Sequence, residues 1–133
     1  EIRAAYVEAI PGLDKLLASV KEATARGYLK AIDGRRVLLD SQHKALNYLL
    51  QSTAAVIAKR WMIIAHENIK ELGIEAHQLG FIHDEIQLET LPPNVKTLCS
   101  SLVYSAAEAG EYYNFRIRID AESKSGHSWA ATH

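Results

Sequence analysis

The stretch Leu79-Gly80-Phe81-Ile82-His83-Asp84-Glu85-Ile86-Gln87-Leu88-Glu89 constrains this chain more than any other. Two apolar runs flank three consecutive ionisable residues. As one long strand it would place those three groups inside a sheet, where ionisable side chains are costly. As a hairpin it puts His83-Asp84-Glu85 at the bend, with Phe81/Ile82 and Ile86/Leu88 in the flanking strands. The hairpin is therefore predicted. A carboxylate pair on a rigid tip suits a hard cation such as Mg²⁺, which takes one or two carboxylates along with waters and substrate phosphates. Solvated loop charges are the commoner outcome for such a triplet, and the triplet alone leaves both readings open.

Upstream, residues 1 to 9 read as a helix stopped by Pro11-Gly12, and Leu13 to Ala25 as a second helix with Leu13, Leu16, Leu17 and Val20 on one stripe. Gly27 is expected to cap it. Two short strands, Tyr28 to Ile32 and Arg36 to Leu39, are expected around a two-residue Asp33-Gly34 turn, with Lys30, Arg35 and Arg36 clustered there. Those cations suit phosphates, or simply water. Ser41 can cap a long helix from about Lys44 to Leu72, ended by Gly73, with Leu46, Leu50, Ile57 and Ile64 inward.

His43, Asn47 and Gln51 recur every fourth residue and share another face of that helix, above the small residues Ala54, Ala55 and Ala58. Asn and Gln amides can donate to purine N3 and pyrimidine O2, the acceptors that every base pair shows in the minor groove. From spacing alone a solvated polar face serves as well. Downstream, Leu91-Pro92-Pro93 breaks the strand, and Asn94 to Gly110 is a helix with Val95, Leu98, Leu102 and Val103 inward. Phe115 to Asp120 alternates as a strand, with Phe115, Ile117 and Ile119 as core, and Trp129 is a packing anchor in a polar tail.

The 133 residues are one domain's worth of chain, 48% hydrophobic and 23% charged, as in a soluble globular protein. Net charge is −1, but residues 1–70 carry 11 Lys/Arg against 7 Asp/Glu and residues 71–133 carry 4 against 9. A basic half beside an acidic half suits a protein that holds a polyanion and cations with different parts. Cys99 is the sole cysteine, which excludes an internal disulfide, fits a reducing compartment and suggests a buried thiol. No run is long enough for a transmembrane helix, so no membrane is expected. The chain begins within a helical pattern and reads as a piece of a longer protein.

Five segments, in order, resemble family A DNA polymerases, the group of DNA polymerase I and its phage relatives. Ile82-His83-Asp84-Glu85 resembles the family's motif C. Pro11-Gly12 resembles the segment after its fingers helix. Asp33-Gly34-Arg35-Arg36 resembles its Asp-Gly-Arg-Arg turn, and Asn47 with Gln51 its Asn-x-x-x-Gln. Gly126-His127-Ser128-Trp129 with His133 resembles its C-terminal Gly-x-x-Trp and closing His. His43, Leu49-Leu50-Gln51-Ser52 and the ending look more phage-like than bacterial; bacterial members usually carry arginine in place of His43, which weakens any phosphate-clamp role there.

The resemblance implies an α+β fold, long helices packed on a small antiparallel sheet, with residues 1–133 a single partial domain from the C-terminal palm. It implies template-directed deoxynucleotidyl transfer in DNA replication, with two Mg²⁺ ions. Asp84 would be the metal ligand, His83 would touch the primer end, and Glu85 would orient that set or ligate more weakly. Asn47 and Gln51 would contact primer–template DNA, as would Arg35 or Arg36. Implied partners are deoxynucleoside triphosphates and the upstream palm, fingers and thumb, in the same or a complementary chain, in the cytoplasm of a bacterial or phage-infected cell. The family's other metal aspartate and its triphosphate-gripping Arg and Lys find no match here, so the chain alone is expected to be inactive. Two alternatives remain. One is a His-Asp metal phosphohydrolase using His43, His66, His83, Asp84 and Asp120, which needs His83-Asp84 on a helix. The other is a non-catalytic DNA-binding module.

Overall fold

A computed structural model describes residues 2–132. The order is α1 (Ile2–Ala9), α2 (Leu13–Ala25), β1 (Tyr28–Lys30), β2 (Arg36–Leu38), α3 (Ala45–Leu72), β3 (Ala76–Ile82), β4 (Glu85–Thr90) and α4 (Val95–Tyr112). Short 3-10 turns precede α3 and α4 and lie in the tail. The fold is α+β, and the described strands form two antiparallel pairs, β1–β2 and β3–β4. No described helix is long and apolar enough to cross a membrane. The chain divides into two compact units, Glu1–Val56 and Ile57–His133.

In the first unit, Val20, Ala23, Leu29 and Ala45 form a buried cluster, with Val37, Leu39, Leu46, Tyr48 and Leu49 packed against it. The α2 stripe thus buries its C-terminal end, while Leu16 stays exposed. Gly27 and Gly73 take positive φ just past α2 and α3, as expected. The Asp33-Gly34 turn differs from expectation. Lys30 pairs with Arg36, Ala31 N–H donates to Arg35 O, and Gly34 N–H donates to Ala31 O, both at 2.9 Å. The loop is therefore three residues, Ile32-Asp33-Gly34, with Gly34 as its left-handed member at φ 86. An Asp-Gly pair serves either loop, and strand register decides which.

Ser41 heads the 3-10 turn Gln42–Lys44 rather than α3, and its hydroxyl makes no capping bond. Its carbonyl accepts from the Lys44 N–H at 3.3 Å. The start of α3 is braced by Asp40, which accepts from Lys44 Nζ at 3.1 Å and Tyr48 Oη at 3.0 Å. Those bonds, Lys44 first, hold the Asp40 carboxyl below its ordinary value, and Asp40 in turn raises the Lys44 ammonium. The aspartate's stabilising effect is present at neutral pH and is lost as pH falls through its folded value. In the open it is modest.

In the second unit, α3 and α4 are joined by a polar seam. Trp61 Nε1 donates to Leu102 O at 2.9 Å. Asn68 Nδ2 donates to Glu108 Oε2 at 2.7 Å and Ser105 Oγ at 3.1 Å, and the fully buried Ser105 donates to Ser101 O at 2.7 Å. A partly buried network satisfied in this way favours one helix register. The Arg60 guanidinium lies 3.8 Å from the Tyr112 ring centroid. Its basicity is raised first by a hydrogen bond with Tyr113.

Four expectations fail in this unit. The helix expected to end at Gly110 runs on to Tyr112, and that glycine is a contact point within it and not a cap: a Cβ there would lie 2.6 Å from Ile119 Cγ1. Phe115 to Asp120 is not a strand. It turns back through Asn114, at φ 55, with Phe115 N–H donating to Gly110 O at 3.1 Å. Phe115 and Ile119 face inward, but Ile117 is 77% exposed. Alternating residues make a strand only when a ladder partner satisfies the backbone, and no described strand pairs here. Cys99 is only partly buried rather than a buried thiol. Trp129 is 56% exposed. The closing His133 lies outside the described residues.

Candidate functional site

The predicted hairpin is present. β3 and β4 pair antiparallel, with Ile82 opposite Glu85, which leaves His83-Asp84 as a two-residue turn. Both residues are exposed. His83 takes φ 56, at a turn position that often holds glycine. Holding a non-glycine residue there costs about 1–3 kcal/mol, and such strain clusters at functional sites. The ionisable triplet is divided. Glu85 belongs to β4 rather than the bend, is partly buried, and accepts a hydrogen bond from Gln87 Nε2 two residues along the same face.

Sequence reasoning missed how this hairpin is aimed. Gln78 pairs with Leu88, but Gly80 pairs with Gln87, so Leu79 is a bulge residue, 63% exposed. The extra residue flips strand parity. Ala76, Gln78 and Phe81 now share a face with Thr90, Leu88 and Ile86. His77, Gly80 and Ile82 share the other with Glu89, Gln87 and Glu85. Gln78 Nε2 donates to the Met62 carbonyl of α3 at 3.0 Å. At the hairpin base Thr90 Oγ1 donates to Glu75 O at 2.6 Å. A lone glutamine in a strand carries no sequence signal for this; the Leu79-Gly80 pair is the one hint.

In the first unit His43, Asn47 and Gln51 are all exposed, as expected. His43 lies in the 3-10 turn and the two amides lie on α3. Leu50, expected inward, is 57% exposed. It stands three residues from Asn47 and four from Ala54, so it belongs to the same open face. This face is apolar as well as polar, and its flanking Ala54 and Ala55 are also exposed.

The two arginines left undecided by the sequence have different surroundings. Arg35 Nε sits 2.6 Å from Asp33 Oδ2, and its own N–H donates to Asp33 Oδ1 at 3.2 Å. The carboxylate offsets its charge. Arg36 stacks over Tyr28, 4.7 Å from the ring centroid, and Arg26 approaches the same ring at 5.9 Å. Lys30 stands opposite Arg36 across the strand pair.

Exposed Asp84, with Glu85 next to it, suits the one or two carboxylates that Mg²⁺ takes from a protein. Among the described residues no group of three or more His, Cys, Asp or Glu side chains gathers into a metal site. The phosphohydrolase reading fails here, because His83 and Asp84 occupy a turn between strands and not a helix.

The family model described as DNA polymerase family A matches residues 1–131. The chain is 30% identical to the DNA-directed DNA polymerase of Escherichia phage T7, over 100% of this chain and 22% of the phage protein. It is 27% identical to DNA polymerase I of Aquifex aeolicus, over 82% of this chain and 19% of that protein. It thus spans about a fifth of the length of the curated relatives it matches. Among solved structures, the POL domain of Pol1 from M. smegmatis, in complex with DNA primer-template and dNTP, superposes with a TM-score of 0.83 at 27% identity, covering 96% of this chain and 24% of that one.

Proposed function

This chain belongs to DNA polymerase family A, and from that premise we propose that residues 1–133 form the C-terminal palm region of a DNA-directed DNA polymerase acting in the interior of a bacterial cell. The observation that carries the reading is a strained, exposed His83-Asp84 turn at the tip of a hairpin, in a chain matched to this family along its length. In the reaction a primer 3′ hydroxyl gives up its proton to solvent as its oxygen bonds to the α-phosphorus of a deoxynucleoside triphosphate, and the bond from that phosphorus to the oxygen bridging to the β-phosphate breaks to release pyrophosphate. A bound Mg²⁺ would supply charge compensation for the phosphates and ease deprotonation of the 3′ hydroxyl. Asp84 would supply a carboxylate to that cation. Glu85, tied to Gln87, orients the tip beside it. His83, at the outermost turn, contacts the primer end. The upstream palm, fingers and thumb supply the remaining ligands and the triphosphate grip.

Asn47 and Gln51 face primer–template DNA, where amide donors to minor-groove acceptors test Watson–Crick shape without reading sequence. In an enzyme with the upstream parts present, Gln51→Ala is expected to slow extension about three- to ten-fold, an effect of order 1 kcal/mol like that of one hydrogen bond, with a smaller change in DNA affinity. Equal loss of both, measured by single-turnover extension and equilibrium binding, contradicts a checking role.

Of the two arginines, Arg36 is the proposed phosphate contact, because Arg35 is offset by Asp33. The slope of log affinity against log salt scales as about −0.9 per phosphate neutralised. Arg36→Ala is expected to reduce that slope by about one, and Arg35→Ala by much less. The reverse ranking overturns the assignment.

A further inference from the structure

The reaction needs the hairpin tip to point one way, and a bare two-stranded hairpin is marginally stable by itself. Two features in the second unit act on this hairpin before its tip. The first is the bulge at Leu79, which places Gln78 and Phe81 on one face with Leu88 and Ile86. The second is Gln78 itself, whose amide reaches the Met62 carbonyl on α3 at 3.0 Å. Met62 lies well inside α3, so its carbonyl already accepts within the helix and offers its second lone pair to Gln78. Gln78 is partly buried, and an amide in that setting has few other acceptors.

The geometry points to Gln78 as a positioning residue: by anchoring the bulged strand on α3, it sets the direction in which the turn presents His83 and Asp84. Five residues separate Gln78 from His83, about 16 Å of strand at roughly 3.3 Å per residue. A small pivot at the anchor becomes a large displacement at that reach, and a 1 Å misplacement can lower a rate about a hundred-fold. Leu79 contributes through its extra backbone residue and not its side chain, which points to water.

This inference rests on the polymerase reading for its catalytic half, so its test has an independent arm. With the upstream palm and fingers supplied in the same chain, Gln78→Met keeps side-chain length and removes the donor, while Gln78→Lys restores one. Gln78→Met is expected to lower kcat roughly ten- to a hundred-fold with the KM for nucleotide nearly unchanged, and Gln78→Lys to recover most of that loss. Amide hydrogen exchange at residues 81–86 is expected to quicken in Gln78→Met, with the thermal midpoint little changed. Wild-type exchange at the tip overturns the inference, whatever the activity. So does a kcat loss that Gln78→Lys fails to recover, or one that simply follows a lowered midpoint. If exchange quickens while Asp84→Ala still extends primers normally, the anchor stands and the assignment of the site to the tip falls.

Discussion

Residues 1–133 alone are expected to incorporate no nucleotide in a primer-extension assay, and Asp84→Ala is expected to abolish extension when the upstream palm and fingers are present. Both outcomes follow from what the hairpin holds. Mg²⁺ dehydrates reluctantly and needs several fixed oxygens. Asp84 is exposed at a turn, Glu85 is engaged with Gln87, and no third acidic or imidazole group joins them among the described residues. Phosphoryl transfer depends almost wholly on positioning and charge stabilisation. A partial site therefore loses nearly all the rate and not a proportionate share. Metal assistance amounts to several kcal/mol, and about 1.4 kcal/mol is tenfold. Asp84→Ala should thus lower the rate about a thousand-fold or more. Robust Mg²⁺-dependent extension by the chain alone would contradict this division of labour. Full activity of Asp84→Ala in the complete enzyme would move the site elsewhere. Tight DNA binding without metal, and no turnover with the upstream parts restored, would favour a non-catalytic binding module.

The hairpin was legible because its signal is compositional: apolar runs on both sides of three groups that resist burial. The long α3 was legible because helical spacing persists through Leu46, Ile57 and Ile64. Parity was not legible. Nothing about Leu79-Gly80 as residue types says that one of them is left without a cross-strand partner, yet that decides which face Phe81 occupies. Leu50 shows the same limit on a helix. An apolar residue three positions from Asn47 sits on the polar face by geometry, whatever its hydropathy suggests. The alternation in residues 115–120 reports which side chains turn inward, and says nothing of whether a neighbouring strand exists. The two arginines were indistinguishable in sequence because their difference lies in what stands beside them, Asp33 for one and Tyr28 for the other.

Gly110 separates local preference from packing most sharply, and its replacement is expected to be strongly destabilising. Judged as a helix position, Gly110→Ala should help, since alanine exceeds glycine by about 1 kcal/mol in a helix interior. The fold opposes this. The added Cβ would lie 2.6 Å from Ile119 Cγ1, 3.1 Å from its Cβ and 3.5 Å from its backbone N. These atoms are near the main chain of a β-branched residue whose χ1 is stiff, so the side chain cannot swing clear. Either α4 distorts or the segment after it lifts away. Overpacking of this kind costs about 1–3 kcal/mol, and contact with near-backbone atoms places it at the upper end. The net expectation is a loss of roughly 2 kcal/mol after the propensity gain, about thirty-fold in the folding equilibrium. Faster proteolysis within residues 115–120 should accompany it. Ile119→Ala supplies the control: with the obstructing atoms gone, Gly110→Ala should become neutral or stabilising, a strong coupling in a double-mutant cycle. A stabilising Gly110→Ala in the otherwise unchanged chain would show that Ile119 does not rest on this helix.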